Sequence, residues 1–119
     1  MYTRTYLVYI PFFFSSSVII PDNGMYHDTY GEILMYFEEY EEATKEFQNA
    51  IELVSEDWYI YQTHIKLGIC YKELEMYDLA KENLLKGKSL TSEQTFDPET
   101  QKKWLVIVDL FILQIEQII

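Results

Sequence analysis

The chain has 119 residues, 49% of them hydrophobic and 17% aromatic, with a formal charge of −11. That apolar content suits one packed domain and excludes a disordered chain. The acidic balance argues against a free nucleic-acid role and against attraction to an anionic membrane, both of which need basic surface.

Residues 1–20 differ from the rest. Arg4 precedes an apolar run over 6–14 that Pro11 interrupts; three serines, Val18-Ile19-Ile20 and the turn signal Pro21-Asp22-Asn23-Gly24 follow. A central proline among β-branched and aromatic residues favours extended chain over helix. Three readings stand open for this N-terminal segment, 1–24. It is an apolar arm docked on the domain or a partner, a targeting or anchor segment, or a stretch ahead of an internal start at Met25. The run is short for a membrane span. A signal function would make the protein exported. The single cysteine, Cys70, precludes an intrachain disulfide and is compatible with a reducing cytoplasmic or other intracellular compartment.

From residue 25 the apolar spacing turns helical. Tyr26, Tyr30, Ile33, Leu34 and Phe37 predict a helix over 26–37, and Ala43, Phe47, Ala50, Ile51 and Val54 one over 41–54. Glu38-Glu39-Tyr40 turns between them, while Ser55-Glu56-Asp57 ends one helix and caps the next. Tyr61, Ile65, Leu67, Gly68 and Tyr71 then predict a helix over 58–74. Glu75-Met76-Tyr77 turns, and Ala80, Leu84, Leu85 and Gly87 mark a helix over 78–90. Asp97-Pro98-Glu99 opens a last helix that runs to Ile119. Short turns make each pair of helices pack antiparallel.

Two segments superpose at a spacing of 37 residues: Gly31, Tyr40, Ala43, Phe47 and Ala50 over Gly68, Tyr77, Ala80, Leu84 and Gly87. One supersecondary unit is used twice, and such units bury their apolar faces by stacking. Gly68 and Ala80 fall where the helices of a unit cross closely; Phe47 and Leu84 are the knobs toward the next pair. Leu67-Gly68-x-x-Tyr71 followed by Ala80, Leu84 and Gly87 resembles the tetratricopeptide repeat. The first unit keeps Gly31, Ala43 and Phe47 but has Tyr30 and Leu34 where Leu and Tyr are expected. His27 and His64 replace the first Trp, and no closing Pro is present. Trp104-x-x-Ile107-Val108-x-x-Phe111 makes a third start, 40 residues after Gly68. The resemblance implies an all-α fold of stacked antiparallel helical hairpins, with units at about 24–57 and 61–94 and a half unit at 98–119.

The last helix is apolar on nearly every side from Trp104 onward, which predicts burial all round. Its cover is the N-terminal arm, a second copy or another subunit, or the remainder of a longer protein. Residues 104–119 are thus a candidate homo- or hetero-oligomer interface.

No glycine-rich phosphate loop, Cys-x-x-Cys or His-Glu-x-x-His spacing is present. No acid, base and nucleophile can be grouped, so neither enzyme activity nor a cofactor is expected. His27, His64 and Cys70 read as packing residues rather than metal ligands. In the tetratricopeptide family the first helix of each unit lines a concave groove. The resemblance places Asp28, Glu32, Met35 and Tyr36 there from unit one, and Gln62, Ile65, Ile69, Lys72 and Glu73 from unit two. Lys102, Leu105, Asp109 and Ile112 would come from the last helix. Asp28 and Glu32 stand where carboxylate-gripping members carry basic and amide residues; Lys66 is the one basic residue near. The implied ligand is a basic or amphipathic peptide or helix, and the implied role is an adaptor or small subunit of an assembly. The rival readings are a peptide-sensing domain of a bacterial regulator and an exported or membrane-tethered repeat protein.

Overall fold

The computed structural model describes residues 24–54, 59–95 and 97–118. Every regular element among them is an α-helix: α1 (Gly24–Tyr36), α2 (Tyr40–Leu53), α3 (Ile60–Glu73), α4 (Tyr77–Gln94) and α5 (Pro98–Ile118). The apolar arm, the Ser55-Glu56-Asp57 cap and Trp58 lie outside the described residues. Helices α1 and α2 form one hairpin, α3 and α4 a second; α2 packs on α3, and α5 closes against α4. The expected all-α stack of helical hairpins is what the chain adopts.

The two hairpins repeat down to single backbone bonds. In the first, the Glu39 N–H donates to the Leu34 carbonyl at 2.8 Å and the Glu38 N–H to Met35 at 2.9 Å. In the second, the Met76 N–H donates to Tyr71 at 2.9 Å and the Glu75 N–H to Lys72 at 3.0 Å. Each is a Schellman closure, in which two stranded carbonyls at the helix end find donors across a left-handed residue. That residue is Glu38 in one hairpin and Glu75 in the other, both at φ 62°. Tyr40 and Tyr77 already belong to the next helices, so each turn falls one residue earlier than its sequence places it.

Small residues set how closely each pair approaches. A Cβ on Gly31 would lie 2.7 Å from the Phe47 ring, and one on Gly68 2.8 Å from Leu84 Cγ and 3.0 Å from the Ala80 carbonyl oxygen. Phe47 and Leu84 thus seat on a glycine of their own hairpin. They belong to a core with Tyr30, Leu34, Ala43, Ile65, Leu67 and Ala80. Both histidines brace the hairpins at matching positions. His27 Nδ1–H donates to Glu46 at 2.6 Å, and His64 Nδ1–H to Asn83 Oδ1 at 3.2 Å, with 19 residues between partners each time.

Four sequence expectations are corrected. Ile33 and Leu85, 49% and 50% exposed, lie on the outer flanks of α1 and α4, and Phe37, 68% exposed, falls in the turn just past the end of α1. Helix α4 runs four residues past 90. Thr91 is fully buried with its hydroxyl on the Gly87 carbonyl, and Gln94 Oε1 accepts the Tyr61 N–H at 2.9 Å. The end of α4 thereby satisfies a stranded donor in the first turn of α3. Lastly, α5 is not buried all round. Val108 and Ile115 are inside, while Val106, Leu110, Leu113 and Ile118 are each more than half exposed.

Candidate functional site

The first helices of successive units, α1, α3 and α5, meet along two seams of different chemistry. Between α1 and α3 the seam is ionic. Lys66 is 6% exposed, and its Nζ donates to Asp28 at 2.9 Å and to Glu32 at 2.8 Å. Thr63 donates its hydroxyl to the other Asp28 oxygen at 2.7 Å, and the Lys66 ammonium lies 5.5 Å from the centre of the Phe47 ring. A buried ammonium is tolerated only when paired, as it is here with two carboxylates. Between α3 and α5 the seam is aromatic. Tyr61 meets Trp104 edge-on at 5.9 Å, and Lys72 lies 5.7 Å over the Phe111 ring.

Where the three helices converge, an open groove of about 320 Å³ is lined by Glu32, Met35, Tyr36, Tyr40, Ile69, Glu73 and Phe111. Its floor is Met35, Ile69 and Phe111. Tyr36 stands at its lip, 83% exposed, with its ring 5.5 Å from that of Phe37 in an edge-on pair. Glu32, more than half exposed though paired with Lys66, and Glu73, 3.6 Å from Lys72, stand at its rim. Burial, then the Glu73 and Glu38 carboxylates, raise the Tyr40 phenol above its ordinary pKa, so it stays a neutral donor.

Of the residues mapped from the repeat pattern, Glu32, Met35, Tyr36, Ile69 and Glu73 come together in this groove, and Lys72 flanks it, 3.6 Å from Glu73. Others go elsewhere. Asp28 is drawn into the ionic seam. Lys66 is spent there too and offers nothing to an incoming carboxylate. Ile65 is fully buried in the core, under Gly87. Gln62 donates to the Tyr61 hydroxyl at 3.0 Å. Asp109 pairs with Lys88 of α4 at 2.8 Å, and Leu105 and Ile112 share its stripe of α5 by helical spacing. Lys102 is exposed on the outer side of α5. The stripe of α5 that turns inward carries Trp104 and Phe111, one position away from the mapped one. Tyr40 and Phe111 are groove residues that the mapping missed, although Phe111 already stood out as the Tyr-equivalent of the third start.

Outside the groove, chemistry-bearing groups are held quiet. Burial pushes the Cys70 thiol up to about 12, with the Glu73 charge adding to it, so almost no thiolate forms at neutral pH. Burial lowers the His64 pKa, against the opposing bond to Asn83. Among the described residues no three His, Cys, Asp or Glu side chains are grouped to hold a metal ion. No helix among them is long and apolar enough to cross a membrane. Comparison with protein-family models, curated proteins and solved structures finds no match to this chain.

Proposed function

We propose that this chain is a tetratricopeptide-like, non-catalytic interaction module, an adaptor or small subunit that takes a basic, amphipathic peptide or helix of a partner protein. The observation that carries the reading is the groove between α1, α3 and α5. Its apolar floor of Met35, Ile69 and Phe111 fits an apolar side-chain row, and the Glu32 and Glu73 rim fits lysine or arginine beside that row. The exposed Tyr36 supplies a rigid aromatic contact at the entrance. The density of acids in 25–60, ten against one lysine, would steer a cationic partner toward this end of the molecule.

The test is selection from a displayed peptide library on the full chain and on a Tyr36→Lys/Glu73→Lys variant. Both substituted residues are exposed, so circular dichroism should be unchanged. Enrichment of basic amphipathic sequences on the wild type alone, with Kd raised about tenfold or more in the variant, supports the reading. Identical enrichment on both proteins removes the groove from the function.

A further inference from the structure

The outer face of α5 carries a second surface, independent of the groove. Glu99, Lys103, Val106, Leu110, Leu113 and Gln117 are all exposed and recur at alternating steps of four and three, the heptad seam by which helices pair. The seam lies opposite the side that buries Val108 and Ile115. Its apolar centre is substantially open, with Val106 at 55%, Leu110 at 51% and Leu113 at 53% exposure. From these observations we propose that α5 pairs antiparallel with α5 of a second copy of this chain, forming a twofold dimer centred at the level of Val108.

Charge selects that occupant and that direction. With the axis there, Val106 packs on Leu110 of the second copy, and Leu113 on the aliphatic stem of the copy's Lys103. Lys102 then faces Glu116 of the second copy, and symmetry makes this pair twice. A parallel arrangement at the same seam gives Lys102 no acid to face. Asp109 is the acid nearest the axis, where it would meet its own copy, and Lys88 neutralises it at 2.8 Å. Glu116 is likewise 3.3 Å from Lys81 of its own chain, with its side chain still half exposed. Two chains of charge −11 repel, but the acids crowd residues 25–60, so α5 is the end at which a like copy approaches at least cost. One helix per copy is a small interface, which sets Kd in the micromolar range, about 1–100 µM.

The experiment is sedimentation velocity with light scattering on the full chain over about 1–300 µM, the range in which such an interface changes state. The wild type should pass from monomer to dimer. Leu110→Glu, at an exposed position, should keep its circular dichroism and raise Kd about 100-fold or more. In a Lys81→Gln background, Lys102→Glu should raise Kd about tenfold and Lys102→Glu/Glu116→Lys should restore it. A wild type that stays monomeric overturns the proposal and leaves residues 1–23 or a different protein as the occupant. A dimer untouched by Leu110→Glu overturns it too, and a failed charge-swap rescue rules out the antiparallel pairing.

Discussion

Glu38 and Glu75 hold the least comfortable backbone positions of the described chain. An L-residue in the left-handed region costs roughly 1–2 kcal/mol, while glycine adopts it freely at an unfolded-state entropy cost of about 0.5–1 kcal/mol. The strain term is the larger. Glu75→Gly is therefore expected to stabilise the protein by about 0.5–1 kcal/mol, read as a higher midpoint in urea at constant m. Glu38→Gly should do the same, because the hydrogen bonds at the two turns match. A lower midpoint in both would mean that the glutamate side chains contribute more than the strain removes. Nothing local in Phe37-Glu38-Glu39 signals a left-handed residue, since neither Gly nor Asn is present.

At the scale of the element, each hairpin depends on a glycine facing its partner helix. Adding a methyl at Gly68 gains about 1 kcal/mol of helix propensity. The new Cβ would sit 3.0 Å from the Ala80 carbonyl oxygen, which belongs to the backbone of α4 and cannot swing aside, and such overpacking costs about 1–3 kcal/mol. Gly68→Ala should thus lower stability by up to about 2 kcal/mol net in thermal or urea melts; a gain would show that the hairpin has room to part. These glycines were legible because the 37-residue spacing repeats them beside Ala43, Ala80, Phe47 and Leu84. The helices themselves were legible from apolar period. What escaped were features set by distant partners. The last turn of α4 exists because Gln94 reaches Tyr61, 33 residues away, and no pattern within 78–94 encodes that. Asp28 reads as a groove residue by repeat position and becomes a seam residue because Lys66, 38 residues on, claims it. On α5 an apolar majority masks which stripe faces inward, and the mapped positions fall one residue off the stripe of Trp104 and Phe111.

Over the whole molecule, the ionic seam joins the first unit to the second and should be expensive to break. Removing the ammonium in Lys66→Ala leaves Asp28 charged and nearly buried. The Glu32 share is discounted because that side chain is half exposed. The expected loss is about 3 kcal/mol. The double variant Lys66→Met/Asp28→Asn should recover most of it, since it removes both charges and keeps an acceptor for Thr63. Urea melts of Lys66→Met, Asp28→Asn and the double close the cycle. Additive losses would mean that the pair is not the source of the cost.

The two seams also make the stacking order of the units non-interchangeable. Repeat position equates Asp28 with Ile65 and Glu32 with Ile69, so the carboxylates that unit one offers forward have aliphatic counterparts in unit two, whose own seam is aromatic. Exchanging the hairpins would set Gly24, the repeat equivalent of Tyr61, opposite Trp104 and carry Lys66 away from Asp28 and Glu32. The polarity of the array is therefore written in its junctions rather than in its loops. A third hairpin grafted after the second would stack only if its first helix brought an aromatic, not a lysine, to the join.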